Sequence, residues 1–146
     1  MARVTFRIPW SYRIWIFLFL LISWLTGIAF FVLNKWIFVE GEFGPEKHPW
    51  QYPVLRIHGA AAFLMMITYG YLLASHVPAG WKQKRQRRSG LILVCAQGFL
   101  ILSAYGLYYL ADEGFRVLVS YAHALVGVTF PLLLAVHIIS GRHSRP

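Results

Sequence analysis

Long apolar runs alternate with short polar stretches four times along the chain. The runs free of Asp, Glu, Lys and Arg are Ile14 to Asn34, Ile57 to Trp81, Ser89 to Ala111 and Val117 to Gly141, with 21, 25, 23 and 25 residues. About 20 apolar residues cross the hydrocarbon core of a bilayer as a helix, so each run is long enough. The pattern predicts spans over about 14–34, 54–79, 89–111 and 117–141, all within one transmembrane domain covering 1–146. The expected fold is all-α: an integral membrane four-helix bundle of up-down topology. The first run is too long, and too poorly followed by small residues, to read as a cleavable signal peptide.

Composition agrees. Of 146 residues, 58% are hydrophobic and only 13% charged, about half the charged share of an ordinary soluble domain, which is about 25%. There are 14 Lys and Arg against 5 Asp and Glu, a net charge of +9. Such a balance alone would suit a nucleic-acid binder, but the apolar runs leave no soluble surface for that role, and nucleic acid is excluded as a partner. A single cysteine, Cys95, excludes an intramolecular disulfide and cysteine-based metal clusters.

The charges also sort by loop. Arg3, Arg7, Arg13, Lys82, Lys84, Arg85, Arg87, Arg88, Arg142 and Arg145 share one side if the helices alternate in direction. Lys35, Lys47, Arg56 and Arg116 share the other with all five acids, Glu40, Glu42, Glu46, Asp112 and Glu113. By the positive-inside rule, both termini and the basic loop are expected on the cytoplasmic side of the inner membrane. The longest outer segment, Lys35 to Tyr52, reads as a structured surface loop. Trp36, Trp50, Tyr52 and Trp81 fall near the expected interfaces, where amphipathic rings anchor a helix.

Four of the six histidines lie inside the apolar runs: His58 and His76 in the second, His123 and His137 in the fourth. Ionisable side chains at such depth are costly, face the bundle interior and mark functional sites. His58 and His76 are 18 residues apart, about five helical turns, and so share a face. His123 and His137 are 14 apart, about 40° from alignment. Both helices run the same way, so His58 faces His123 near the outer surface, and His76 faces His137 near the inner one. Two such pairs are what two bis-histidine haem b groups in a four-helix bundle need. Hydrogen bonding between helices, or a proton relay, is the competing account. Along the helix axes the ligands are about 27 Å apart on the second span but about 21 Å on the fourth. A break at His76-Val77-Pro78, a kink at Pro131, or a single haem would resolve that difference.

Small residues flank the ligands: Gly59-Ala60-Ala61-Ala62 after His58, and Ala122, Ala124 and Gly127 around His123. They would make room for a flat macrocycle, or for close helix packing. Arg56 and Arg116 at the outer end, and Lys82, Arg88 and Arg142 at the inner end, are candidate partners for haem propionates. Tyr69, Tyr71, Tyr105, Tyr108, Tyr109 and Tyr121 are candidate donors to propionate or quinone oxygens, against a default role as aromatic lining. Cys95 reads as an inert apolar residue. A weak repeat relates the first span to the third and the second to the fourth, as in a duplicated helical hairpin.

The chain resembles the prokaryotic cytochrome b561 type, among the di-haem membrane cytochromes b. The resemblance rests on Arg13-Ile14-Trp15 leading to Leu25-Thr26-Gly27, on His58-Gly59, on Arg87-Arg88-Ser89-Gly90, and on His123 to His137 with Gly127. Many members carry a ligand in an Arg-x-x-His-Trp context on the first span, where this chain has no histidine. Ligands on the second and fourth spans are closer to the cytochrome b subunit of quinol–cytochrome c reductases. The resemblance implies electron transfer across the bilayer between a quinone pool and a partner redox protein, as a subunit of a larger complex. The alternatives are a self-contained quinone-linked oxidoreductase acting on a small oxidant such as superoxide, and a non-redox structural subunit.

Overall fold

The computed structural model describes residues 8–143, so Arg3, Arg7 and Arg145 of the basic set lie outside the described residues. In chain order the elements are α1 (Trp10–Lys35), β1 (Phe38–Gly41), β2 (Gly44–Lys47), α2 (Gln51–Ala74), α3 (His76–Lys82), α4 (Arg87–Tyr109) and α5 (Glu113–His143). With α2 and α3 taken together, four helices are long and apolar enough to cross a membrane. The fold is a helical bundle of membrane-spanning helices, with one small hairpin added.

The helix ends follow local chemistry. α1 starts directly after Pro9, whose fixed φ suits a helix entrance. It ends with Lys35 in its last turn, where a cation complements the exposed carbonyls. Lys47 Nζ donates to the carbonyl of Asn34 at 2.7 Å, satisfying one of those carbonyls from the hairpin. α2 starts earlier than the charge-free run because Arg56 lies inside it. His48 ties down the approach to this start: its Nδ1 accepts from Trp50 N–H at 3.2 Å, and its carbonyl accepts from Gln51 N–H at 2.9 Å.

The segment read as a surface loop contains a two-stranded antiparallel hairpin, with Phe38 opposite Lys47 and Gly41 opposite Gly44. Gly44 adopts φ +120°, a region closed to other residues, and this lets the chain turn at Glu42-Phe43. Four-residue strands containing glycine and proline carry no readable alternation, so the pattern of the sequence hides them.

α2 and α3 are one membrane passage broken at Ser75 (φ −122°, ψ −61°). Pro78 explains the break: it lacks the N–H that would bond to the Ala74 carbonyl. Ser75 Oγ donates back to Tyr71 O at 2.6 Å and closes the preceding turn. α3 ends in a Schellman turn, with Arg85 N–H bonded to Gly80 O and Lys84 N–H to Trp81 O. Lys84 and Gln86 both take the left-handed region there, at φ 54° and 48°.

Among the described residues, the closest backbone packing joins α1 to α2, α4 to α5 and α1 to α5. The surface is inverted relative to a soluble protein. Phe63, Ile67, Leu102, Leu125 and Leu132 are each about two-thirds or more exposed, whereas Gln97 and Ser103 are buried. An apolar exterior of this extent matches lipid, which costs nothing to contact. Trp24 also reaches across the α1–α5 interface, donating its indole N–H to Val128 O at 3.2 Å, one turn before Pro131.

Candidate functional site

The four apolar-run histidines come together as two pairs. His58 on α2 faces His123 on α5 with ring centroids 6.4 Å apart and planes at 85°. His76, the first residue of α3, faces His137 on α5 at 6.3 Å and 82°. The break at Ser75 accompanies the second pairing, although the two helices space their histidines 18 and 14 residues apart.

Both pairs are wider than a direct hydrogen bond between two imidazoles, which with nitrogens about 2.9 Å apart puts the ring centres about 5 Å apart. Their spacing and steep interplanar angles are those of edge-to-face rings, and the same spacing has room for a metal held at about 2.0–2.1 Å by each ring. Among the described residues no group of three or more His, Cys, Asp and Glu gathers. Each pair therefore offers two ligands, where a bare zinc-type site needs three or four. A macrocycle that fills the equatorial positions itself needs two.

Neighbouring helices orient the rings. His58 Nδ1 lies 2.9 Å from the carbonyl of Ser23 on α1 and 3.4 Å from Thr26 Oγ1. A carbonyl only accepts, so Nδ1 carries the proton and Nε2 keeps a free lone pair. His123 Nδ1 lies 2.7 Å from Ser103 Oγ on α4. That hydroxyl also lies 2.7 Å from Phe99 O, and giving its one proton there leaves it able to accept from the imidazole. His137 Nδ1 lies 2.9 Å from Ser89 Oγ, whose proton goes to Gln86 Oε1 at 3.0 Å. The Ser23 carbonyl fixes the tautomer of His58, and the hydroxyls of Ser103 and Ser89 allow His123 and His137 the same one, with Nε2 available as a metal ligand and the other nitrogen bonded to the protein.

Glycines complete the cradle from the same two helices. A Cβ on Gly27 would sit 2.9 Å from His58 Cε1 and 3.2 Å from Nδ1; one on Gly90 would sit 3.6 Å from His137 Cε1. Gly59, next to His58, and Gly127, one turn after His123, instead approach α4, where an added Cβ would lie 3.9 Å from Tyr108 Oη and 3.7 Å from Leu100 Cδ2. Their missing side chains serve helix packing. Ser23, Gly27, Ser89 and Ser103 were not legible as ligand neighbours, although Thr26-Gly27 and Ser89-Gly90 stand in the motifs of the resemblance. The recurring arrangement is a hairpin: α1 holds His58 of α2, and α4 holds His123 and His137 of α5.

The other candidates lie apart from this geometry. Arg56 is exposed, and two residues from His58 it projects from another face. Arg116 is also exposed, but it sits two turns before His123 on the same side of α5. Lys82, Arg88 and Arg142 are exposed at the other end. Tyr69 Oη donates to Val94 O at 3.0 Å, Tyr71 stacks on Tyr12 at 4.7 Å, and Tyr105 packs on Tyr109 at 4.6 Å. Tyr121 receives Lys35 Nζ over its ring at 4.8 Å, and Tyr108 is exposed. Cys95 is exposed on α4. No family model, no curated protein and no solved structure matches this chain.

Proposed function

We propose that the chain is a b-type membrane cytochrome that carries electrons between the two faces of a bilayer. The observation that supports it is the repeated pair of facing histidines across α2–α3 and α5, each wide enough to hold a metal between the rings, with the described Nδ1 atoms tied back to the protein. His58 with His123, and His76 with His137, would each hold one haem b through Nε2. When bound, haem supplies a one-electron couple and needs no proton from its ligands. The chain's own residues fix the ring tautomers, orient the imidazoles and keep bulky side chains off His58. Arg116 is the better placed of the two outer arginines to meet a propionate, because its register matches His123.

Two electron sites at different depths serve to pass charge across the membrane. The positive-inside bias would put the His76–His137 pair at the cytoplasmic side of an inner membrane and the hairpin outside. Quinone at one face and a redox protein at the other would supply and remove electrons, with the chain as a subunit of a larger complex. The short loops offer little surface for chemistry of their own. The testing measurement is a reduced-minus-oxidised spectrum of the purified chain with haem quantified per protein. Two haems per chain are expected, and a chain without a Soret band overturns the reading. Rapid quinol-dependent turnover of a small oxidant by the isolated chain would point instead to a self-contained oxidoreductase.

The glycine cradle makes a further contrast. Gly27→Ala places a methyl closer to His58 than real Cβ atoms come, so it is expected to cut occupancy of that pair by half or more. Gly90→Ala makes an ordinary contact and leaves both sites filled. Equal occupancy in the two variants, measured by haem per protein, would contradict the cradle.

A further inference from the structure

We infer that Ser89 and Gln86 are positioning residues that set the reduction potential of the His76–His137 site from the loop joining α3 to α4. This rests on the haem reading above and deepens it. The three imidazoles with known Nδ1 partners differ in what lies behind the partner. His58 bonds to a helix carbonyl, Ser23 O. His123 bonds to Ser103, itself fastened to the helix carbonyl of Phe99. His137 bonds to Ser89, which is fastened to a side chain, Gln86 Oε1, at 3.0 Å. The Gln86 carbonyl is a weaker alternative acceptor at 3.4 Å.

Gln86 is not a helix residue but the N-cap of α4, held at φ 48°, ψ 32°. The turn before it sets that conformation through the Schellman bonds of Lys84 and Arg85. Two contacts then seat the turn on α5, one turn beyond His137. A Cβ on Gly141 would lie 3.8 Å from Gln86 Cγ, and Arg85 Nη2 reaches Gly141 O at 3.4 Å. A continuous chain therefore runs from the basic loop through Gln86 and Ser89 to the Nδ1–H of one ligand. An acceptor at Nδ1 raises the basicity of the ligating nitrogen, which favours the oxidised metal and lowers the potential. The strength of that acceptor depends on where the loop places Gln86.

The test is a spectroelectrochemical titration of the purified, haem-loaded full chain, with occupancy measured alongside. Ser89→Ala is expected to keep two haems and raise one midpoint, with a threefold to tenfold change in that site's reduction equilibrium, tenfold being about 59 mV for one electron. The other midpoint stays in place. Gln86→Glu, a shape-preserving change, is expected to lower the same midpoint by strengthening the acceptor behind Ser89. Its new charge would act without Ser89, so the deciding comparison is Gln86→Glu in the Ser89→Ala background, where the shift is expected to fall by more than half. An undiminished shift in that background overturns the inference, as do unchanged midpoints in Ser89→Ala. A wild-type chain that binds no haem overturns the functional reading and this inference with it.

Discussion

His58→Ala and His123→Ala are each expected to lose one haem of two, halving the haem per protein. His76→Ala and His137→Ala are expected to lose the other. The diagnostic is how the losses combine. In the proposed function both members of a pair would hold one haem, so His58→Ala with His123→Ala should cost no more than either alone. His58→Ala with His76→Ala should leave none, because those residues serve different pairs. Non-additivity within a pair and additivity between pairs is the signature of two independent two-ligand sites. The centroid separations of 6.4 and 6.3 Å are compatible with this outcome, since directly hydrogen-bonded imidazoles would sit closer. Haem content at wild-type level in all four single variants would refute the pairing. Loss of both haems in a variant that still folds would show one coupled site.

The second large effect concerns orientation. With Cys95, which is exposed, first replaced by Ala, single cysteines are introduced at Phe43→Cys and Gln83→Cys. Phe43 is 93% exposed at the hairpin tip, and Gln83 is exposed in the basic turn. A membrane-impermeant thiol reagent applied to intact cells is expected to label position 43 nearly completely and position 83 only after permeabilisation. The physical cause is the excess of Lys and Arg in the loop of residues 82–88, which resists transfer across the membrane. Labelling of position 83 in intact cells would reverse the orientation, and with it the assignment of the His76–His137 pair to the cytoplasmic face.

Much of the helical framework was legible because lipid simplifies the code. Where every backbone polar group must bond within its own segment, an uncharged run of about 20 residues has little choice but a helix. The four runs accordingly became four membrane-length helical passages. Their ends moved where local backbone constraints outweighed hydropathy, as at Trp10 after Pro9 and at Gln51, where the His48 carbonyl and ring hold the turn that precedes the helix. The hairpin between α1 and α2 escaped notice because its strands are short and its register depends on Gly44 and on the tie from Lys47 to Asn34.

For the candidate site, spacing along α2 and α5 was enough to group the histidines by face and by depth. The amino-acid order also exposed the awkward difference between separations of 18 and 14 residues, and named Pro78 as one place to absorb it. It determined which residue types were present and on which helix stripes, because helical periodicity is a local property. Tertiary structure decided what those stripes meet. Ring separation, the Nδ1 partners Ser23, Ser89 and Ser103, and the clearance at Gly27 depend on how α1 lies on α2 and α4 on α5. Those are contacts between residues 20 to 65 positions apart, with no periodicity to announce them. A side chain's neighbour across an interface is set by packing, which only the assembled bundle specifies.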